Sequence, residues 1–271
     1  MEQLIWASST CDPATDIICK PEFVNELFET PVVFSLGGFE VNRAMLLMLL
    51  AAVIAVGLLF FAYRKPRVVP TKYGVAIEGL VDFVRDQIAV GVIGPDGIKY
   101  FPYLLSIFLF ILIGNVFEVT PFVNFPITSR MAIPAFLAVL TYLIFVVVGF
   151  AKNGFHYFTG VVWPKSVPLA LRPLVGLIEF VSTFLIRPLT LAVRLFANLV
   201  AGHVMLTLLL ASGFIFIKEV GDIGFRSAIG LGWFAIGMAI FFFEIVVAFL
   251  QAYIFTLLSA VYIQTSVHPE H

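Results

Sequence analysis

Five ionisable side chains other than tyrosine stand inside two long apolar runs, residues 173–217 and 227–264: Glu179, Arg187, Arg194, His203 and Glu244. Arginine stays protonated in essentially any protein environment. Arg194, at the centre of RPLTLAVRLFANLVAGH, is therefore a fixed positive charge that attracts a carboxylate and repels a cation but cannot relay a proton. His203 and Glu244 can exchange protons wherever water reaches them. A charge at the centre of a bilayer costs roughly 2.5–3.5 kcal/mol on insertion scales, so such residues point to function first. Arg187 is open to two readings, a charge that snorkels or pairs structurally and one that supports transport. Glu179 falls near the end of its run, where partial hydration is expected. Together these residues describe access routes for a cation with an electrostatic plug between them. The carboxylate that would travel past the plug is missing and has to come from a partner.

Helical geometry sorts the smaller residues around these charges. At about 100° per residue, Thr190 and Asn198 fall roughly 40° to either side of Arg194, while Arg187 and Ala201 fall within about 20°. The arginine face is thus small and polar, a surface that another helix can approach closely. His203, nine positions on, points roughly opposite. In the second run Glu244, Gln251 and Tyr262 are separated by seven and then eleven residues, nearly one stripe, within a sheath of Phe, Leu, Ile and Val. A polar stripe of this kind normally lines a water path or meets a partner.

The elements that must position these residues are membrane helices. The 271 residues are 61% hydrophobic and 12% charged, with a mean hydropathy of +1.05; soluble domains run near 45–50% and 25%. The chain reads as an all-α integral membrane protein, a single polytopic domain over 1–271. A net charge of −1 offers no basic excess for a nucleic acid. About 20 apolar residues cross a hydrocarbon core, which predicts spans at 42–63, 100–117 and 131–151. The runs 173–217 and 227–264 are too long for one upright crossing each. A helix of 38 residues is about 57 Å long, against a core about 30 Å thick. Such helices either break, with Pro188 an obvious place, or form a long, steeply tilted hairpin. Residues 73–94 alternate Val75, Ile77, Leu80, Val81 and Val84 with Glu78, Asp82, Arg85 and Asp86 at helical spacing, too charged to span. They predict an amphipathic helix on the cytoplasmic surface, or else a loop helix packed on the spans.

Orientation follows from charge. The leader, residues 1–40, carries seven acidic residues against Lys20 alone, whereas RKPRVVPTK after the first span has four basic residues and no acidic one. The excess of Lys and Arg places that loop in the cytoplasm and the N-terminus outside. Lys152, Lys165 and Arg172 fit a second cytoplasmic loop, and five crossings leave His271 in the cytoplasm. No cleavable signal is apparent, since the first residues are not basic. Cys11 and Cys19 suit either a bridge in an oxidising compartment or two thiols. His156, His268 and His271 fall in loop and terminal positions, and no metal-ligand cluster or nucleophile stands out.

Two motifs, RLFANLVAGH (194–203) with RPLTLAV before it, and LQAYIFTLLSAVYI (250–263), resemble subunit a of the F-type ATP synthases of bacteria. The likeness extends over nearly the whole chain. It implies a membrane stator beside a rotating ring of c subunits, with b-type peripheral stalk subunits and the rest of the complex as further partners, in the bacterial plasma membrane. It implies two offset half-channels, no cofactor, and no catalysis by this chain itself, which has no glycine-rich phosphate loop. Residue by residue, Arg194 matches the family's essential arginine, Asn198 its neighbouring asparagine and Gln251 the glutamine close to that arginine. Asn115 and Glu118 match the inlet pathway, Glu179 and Ser182 the cytoplasmic one. One departure stands out: some bacterial members carry glutamate at the position of His203 and histidine at that of Glu244. The exchange preserves one imidazole and one carboxylate. The competing reading, a self-contained secondary transporter or cation channel, would more often show two related halves or broken helices, and neither is evident.

Overall fold

A computed structural model describes residues 18, 32–36, 39–64, 72–120, 130–163, 168–169, 171–218 and 227–267. Most of the acidic leader with Cys11 and Cys19, the basic loop after Arg64, Lys165, the polar link after Lys218, His268 and His271 lie outside the described residues.

Five helices among the described residues are long and apolar enough to cross a membrane, so the chain is an all-α integral membrane protein. The first, α1 (Arg43–Tyr63), follows a small antiparallel hairpin of β1 (Val32–Leu36) and β2 (Phe39–Asn42) that hydropathy does not reveal. Next come α2 (Lys72–Asp82), continued by a wide, π-helical stretch over Phe83–Ile93, and a 3-10 turn at Pro95–Lys99. Two spans follow, α3 (Phe101–Val119) and α4 (Ala132–Asn153). Within the predicted second cytoplasmic loop lies a short helix, α5 (Phe155–Val162). Then α6 (Arg172–Val181) runs through a π turn at Ser182–Ile186 into α7 (Arg187–Lys218), and α8 (Ser227–Val267) ends the described chain.

Stops and starts have local causes. Gly154 at φ +58 ends α4 and its N–H returns to the Phe150 carbonyl at 2.8 Å; Gly94 at φ +90 ends the π-helical stretch in the same way on Val90. Only glycine adopts such angles without steric cost. Pro173 opens α6, where a missing N–H costs nothing. Pro188 does not break the helix: α6, the π turn and α7 are continuous from Arg172 to Lys218, and α8 runs 41 residues without interruption. At 1.5 Å per residue α8 is about 60 Å long, twice the hydrocarbon thickness.

The chain divides into two compact units. One comprises Met1–Leu50, Gly114–Arg130 and Ala197–Phe249; the other comprises Ala51–Ile113, Met131–Phe196 and Leu250–His271. Helices α1, α3, α7 and α8 each contribute to both. In the second unit Val84, Ile88, Leu104, Phe108, Ile111, Phe145, Phe255 and Ile263 form a fully enclosed core. The helix at 72–93 partitions its charges outward, Arg85 bridging Asp82 at 3.0 Å and Asp86 at 2.8 Å. Its apolar face, however, joins that core through Val81, Val84, Ile88 and Ala89. The chain itself covers that part of the apolar face, as the alternative of a helix packed on the spans expects. Tyr103 Oη donates to Thr141 Oγ1 at 2.8 Å, joining α3 to α4. Asn153 Nδ2 donates to the Ser266 carbonyl at 2.8 Å and so ties α4 to the end of α8.

In the first unit α7 and α8 pack as an antiparallel pair through small residues. A Cβ on Gly213 would meet the Phe234 backbone N at 2.8 Å, and one on Gly237 would meet Leu210 Cδ2 at 2.7 Å. Apolar burial offers no net drive between helices already in lipid, so close packing of this kind supplies the attraction.

Candidate ion-translocation site

Asn115, Glu118, His203 and Glu244 all lie in the first unit, at 1, 4, 3 and 8% exposure. They come from three helices, α3, α7 and α8. The sequence separation is wide, but α3 carries Asn115 and Glu118 three residues apart, on neighbouring positions of one face. Asn115 Nδ2 donates to the Ala248 carbonyl of α8 at 3.4 Å, fixing the amide against that helix. Glu118 Oε1 stands 3.9 Å from His203 Nδ1. That distance is too long for a direct hydrogen bond. Among the described residues, Asn115 Oδ1, Glu118 Oε1 and His203 Nδ1 are buried without a hydrogen-bond partner. Buried polar atoms are normally paired; here three unpaired ones stand together.

Glu244 reaches the same place from α8. A Cβ built on Gly202 would lie 2.6 Å from Glu244 Cδ and 2.7 Å from Oε2, so the carboxylate rests on the bare backbone of α7 beside His203. Thr207 Oγ1 donates back to the His203 carbonyl at 2.7 Å. The sequence reading missed Gly202 and Thr207. Their signal exists only once the register of α7 on α8 is known.

The remaining sequence-predicted residues, Asn198 excepted, lie in the second unit. Arg194 is exposed and, among the described residues, makes no hydrogen bond or ion pair. An uncovered, unpaired guanidinium on a helix of this apolarity requires an anionic or polar partner. Thr190 is exposed beside it, but its hydroxyl donates to the Ile186 carbonyl at 2.8 Å and the Arg187 carbonyl at 3.1 Å, so its proton is committed to its own helix. Arg187 is committed too. Its guanidinium lies over the Tyr262 ring, 5.2 Å from the centroid, and Nη1 donates to Thr265 Oγ1 at 3.4 Å. Its partners are an aromatic face and a hydroxyl rather than an acid. Gln251 is buried and its Nε2 has no hydrogen-bond partner among the described residues. Glu179 and Ser182 are partly exposed, on either side of the junction between α6 and the π turn. Asn198, in the first unit, is exposed.

Buried ionisable groups converging from three helices, together with an exposed arginine on a long membrane helix, suit a polytopic ion-path protein. The sequence model of the ATP synthase A chain family matches residues 45–264. The chain is 39% identical over 249 residues to ATP synthase subunit a of Rhodococcus erythropolis, covering 91% of this chain and 90% of that one. Its counterpart from Frankia alni is 39% identical over 254 residues, covering 91% and 86%. ATP synthase subunit a of Rhodospirillum rubrum is 36% identical over 239 residues, covering 88% and 94%. The chain belongs to the ATP synthase A chain family.

Proposed function

We propose that this chain is the proton-translocating stator subunit of an F-type ATP synthase in a bacterial plasma membrane, with its N-terminus outside and its C-terminus in the cytoplasm. Protons enter from outside through the cluster of Asn115, Glu118, His203 and Glu244. Each proton neutralises a carboxylate on a rotating ring of c subunits, which carries the neutral site into lipid. Returning carboxylates pass Arg194, whose fixed charge favours their ionised form, and release protons toward Glu179 and Ser182. Arg194 also keeps a hydrated proton from passing directly between the two routes. Gln251, Asn198, Thr190, Tyr262 and Arg187 shape the polar surroundings. Arg187 and Tyr262 do so by holding each other. The b-type stalk subunits hold the chain still against the ring's torque, and ATP is made elsewhere in the complex.

The observation that carries this reading is the contrast in burial. The exchangeable groups of the inlet cluster are enclosed, whereas Arg194, which cannot exchange, is exposed and unpaired among the described residues. The test is Arg194→Ala in membrane vesicles carrying the whole complex. ATP-driven proton pumping is expected to vanish while passive proton conductance is retained or rises. Arg194→Lys is expected to fail as well, since an ammonium lacks the planar fork and is more strongly hydrated. Coupled pumping at the parental rate in the alanine variant overturns the plug.

A further inference from the structure

The wide turn at Ser182–Ile186 sits directly before Pro188, and its backbone shows why. Proline has no N–H to donate and its ring collides with the carbonyl four residues earlier. Here the Arg187 N–H reaches back five residues to the Ser182 carbonyl instead of four, which opens the turn and relieves the collision. A turn closed from i to i+5 holds one residue more than an α turn. Everything before it is rephased by one residue step, about 100°.

That step changes which residues share a face with Arg194. In an uninterrupted α-helix Ser182, twelve positions earlier, would lie about 120° from Arg194, and Thr183 within about 20°. With one residue absorbed by the π turn, Ser182 comes to about 20° and Glu179 to about 40°. Burial agrees with the second arrangement. Thr183 is enclosed at 5% exposure, whereas Ser182 is partly exposed and Arg194 is exposed. The turn is also braced from outside. The Phe184 ring lies 5.0 Å from that of Phe180, 6.0 Å from Phe158 and 6.4 Å from Tyr142. Leu185, by contrast, projects outward at 59% exposure.

We infer that Pro188 is a positioning residue: through the π turn it sets the rotational phase of the helix so that Ser182 and Glu179 stand on the face of Arg194. The inference deepens the outlet reading proposed above and rests on it for its purpose, although the phase itself does not. A proline so placed does not hinge or break a membrane helix; it indexes one half of the helix against the other.

The test uses the whole complex in inverted vesicles, with Cys11 and Cys19 replaced by serine and a single cysteine at position 182 or 183. A small water-soluble thiol reagent reads the phase. In the Pro188 parent, Ser182→Cys labels faster than Thr183→Cys. Adding Pro188→Ala lets the turn close, reverses that order and lowers ATP-driven pumping. Deleting Leu185 together with Pro188→Ala leaves eleven steps of regular helix between Ser182 and Arg194, so the parental labelling order and the pumping both return. This rescue separates a phase effect from simple damage, because the rescued chain carries more change than the one that fails. Equal labelling at the two positions in the parent, faster labelling at position 183, or an unchanged order in Pro188→Ala each overturns the inference. Reversed labelling with undiminished pumping upholds the phasing and removes Ser182 and Glu179 from the outlet.

Discussion

Replacing Gly202 with alanine is the most economical probe of the buried cluster, because it adds one methyl group and removes nothing. That methyl would lie 2.6 Å from Glu244 Cδ and 2.7 Å from Oε2, where ordinary contacts begin at 3.4 Å. Oε1 comes closer still, so the carboxylate must retreat by at least about 0.8 Å, the difference between 3.4 and 2.6 Å at Cδ. Overpacking of this kind costs about 1–3 kcal/mol in a close-packed site. Glu244 meets the methyl with the far end of a flexible side chain, so most of that cost falls on the arrangement of the carboxylate and little on the fold. If it falls wholly on the productive arrangement, transport slows by about five- to 150-fold, at 1.36 kcal/mol per decade. The assay is the initial rate of ATP-driven proton pumping in inverted vesicles at matched complex abundance. Glu244→Asp withdraws the carboxylate by one methylene. The double variant Gly202→Ala with Glu244→Asp is therefore expected to pump faster than the product of the two single losses predicts. Parental pumping by Gly202→Ala, or strictly multiplicative losses in the double variant, would refute the contact as a determinant of transport.

The exchanged pair offers a second test. His203→Glu sets another carboxylate beside Glu118, which now stands 3.9 Å from His203, and Glu244→His removes the only carboxylate that α8 contributes to the cluster. The double variant restores one imidazole and one carboxylate and should pump better than at least one single variant, with a coupling above about 0.5 kcal/mol; additive losses mean that the residues act separately. Tyr262→Phe keeps the ring beneath Arg187 and should leave the thermal inactivation midpoint of the complex unchanged. Tyr262→Leu removes a cation–π contact worth about 0.5–1 kcal/mol at a partly exposed site and should lower it, so equal midpoints for the two variants contradict the stacking role. Outside the membrane-spanning helices, Asp96 accepts from Lys152 Nζ at 2.9 Å and Lys99 Nζ at 3.1 Å. Those ammonium groups, Lys152 first, hold its carboxyl down at about 2, below the ordinary 3.8. A depressed folded-state value stabilises the fold above about pH 3.8 and loses that contribution as pH falls toward 2. The melting difference between the parent and Asp96→Asn should therefore be the same at pH 5 and pH 8, and a difference that changes across that interval contradicts the ion-pair origin.

How much of this was legible beforehand differs by element. Composition and run length alone predict the five spans, because a bilayer of fixed thickness demands about 20 consecutive apolar residues wherever a helix crosses it. The structure places those helices within two or three residues of the expected bounds. The ionisable residues were legible for the same reason. Against so uniform a background a single Arg194, His203 or Glu244 is conspicuous, and its chemistry follows from its type. The resemblance of RLFANLVAGH and LQAYIFTLLSAVYI then supplied the family, which the comparisons bear out.

Facing and register were not legible. α8 carries the polar stripe of Glu244, Gln251 and Tyr262 but is otherwise apolar all round, so its sequence does not say which residues of α7 that stripe meets. Only the packed register on α7 brings Glu244 onto Gly202. The charged helix at 72–93 showed its two faces plainly, but a sequence does not say whether lipid or the chain's own core will cover the apolar one. Arg187 and Arg194 look alike on a helical wheel, and only contacts 75 or more residues away, at Tyr262 and Thr265, commit the first, while the second is unpaired among the described residues. Pro188 announced an irregularity without saying whether it would break, kink or rephase the helix. Those alternatives differ by where one backbone N–H finds its carbonyl, and the aromatic rings of Phe158, Phe180 and Tyr142 packed around Phe184 favour one of them. Residue type and run length therefore determine what this chain can do and where it lies. Which of its charges are available to do it is decided by interhelical contacts, because in lipid the hydrophobic pattern that orients helices in water is erased.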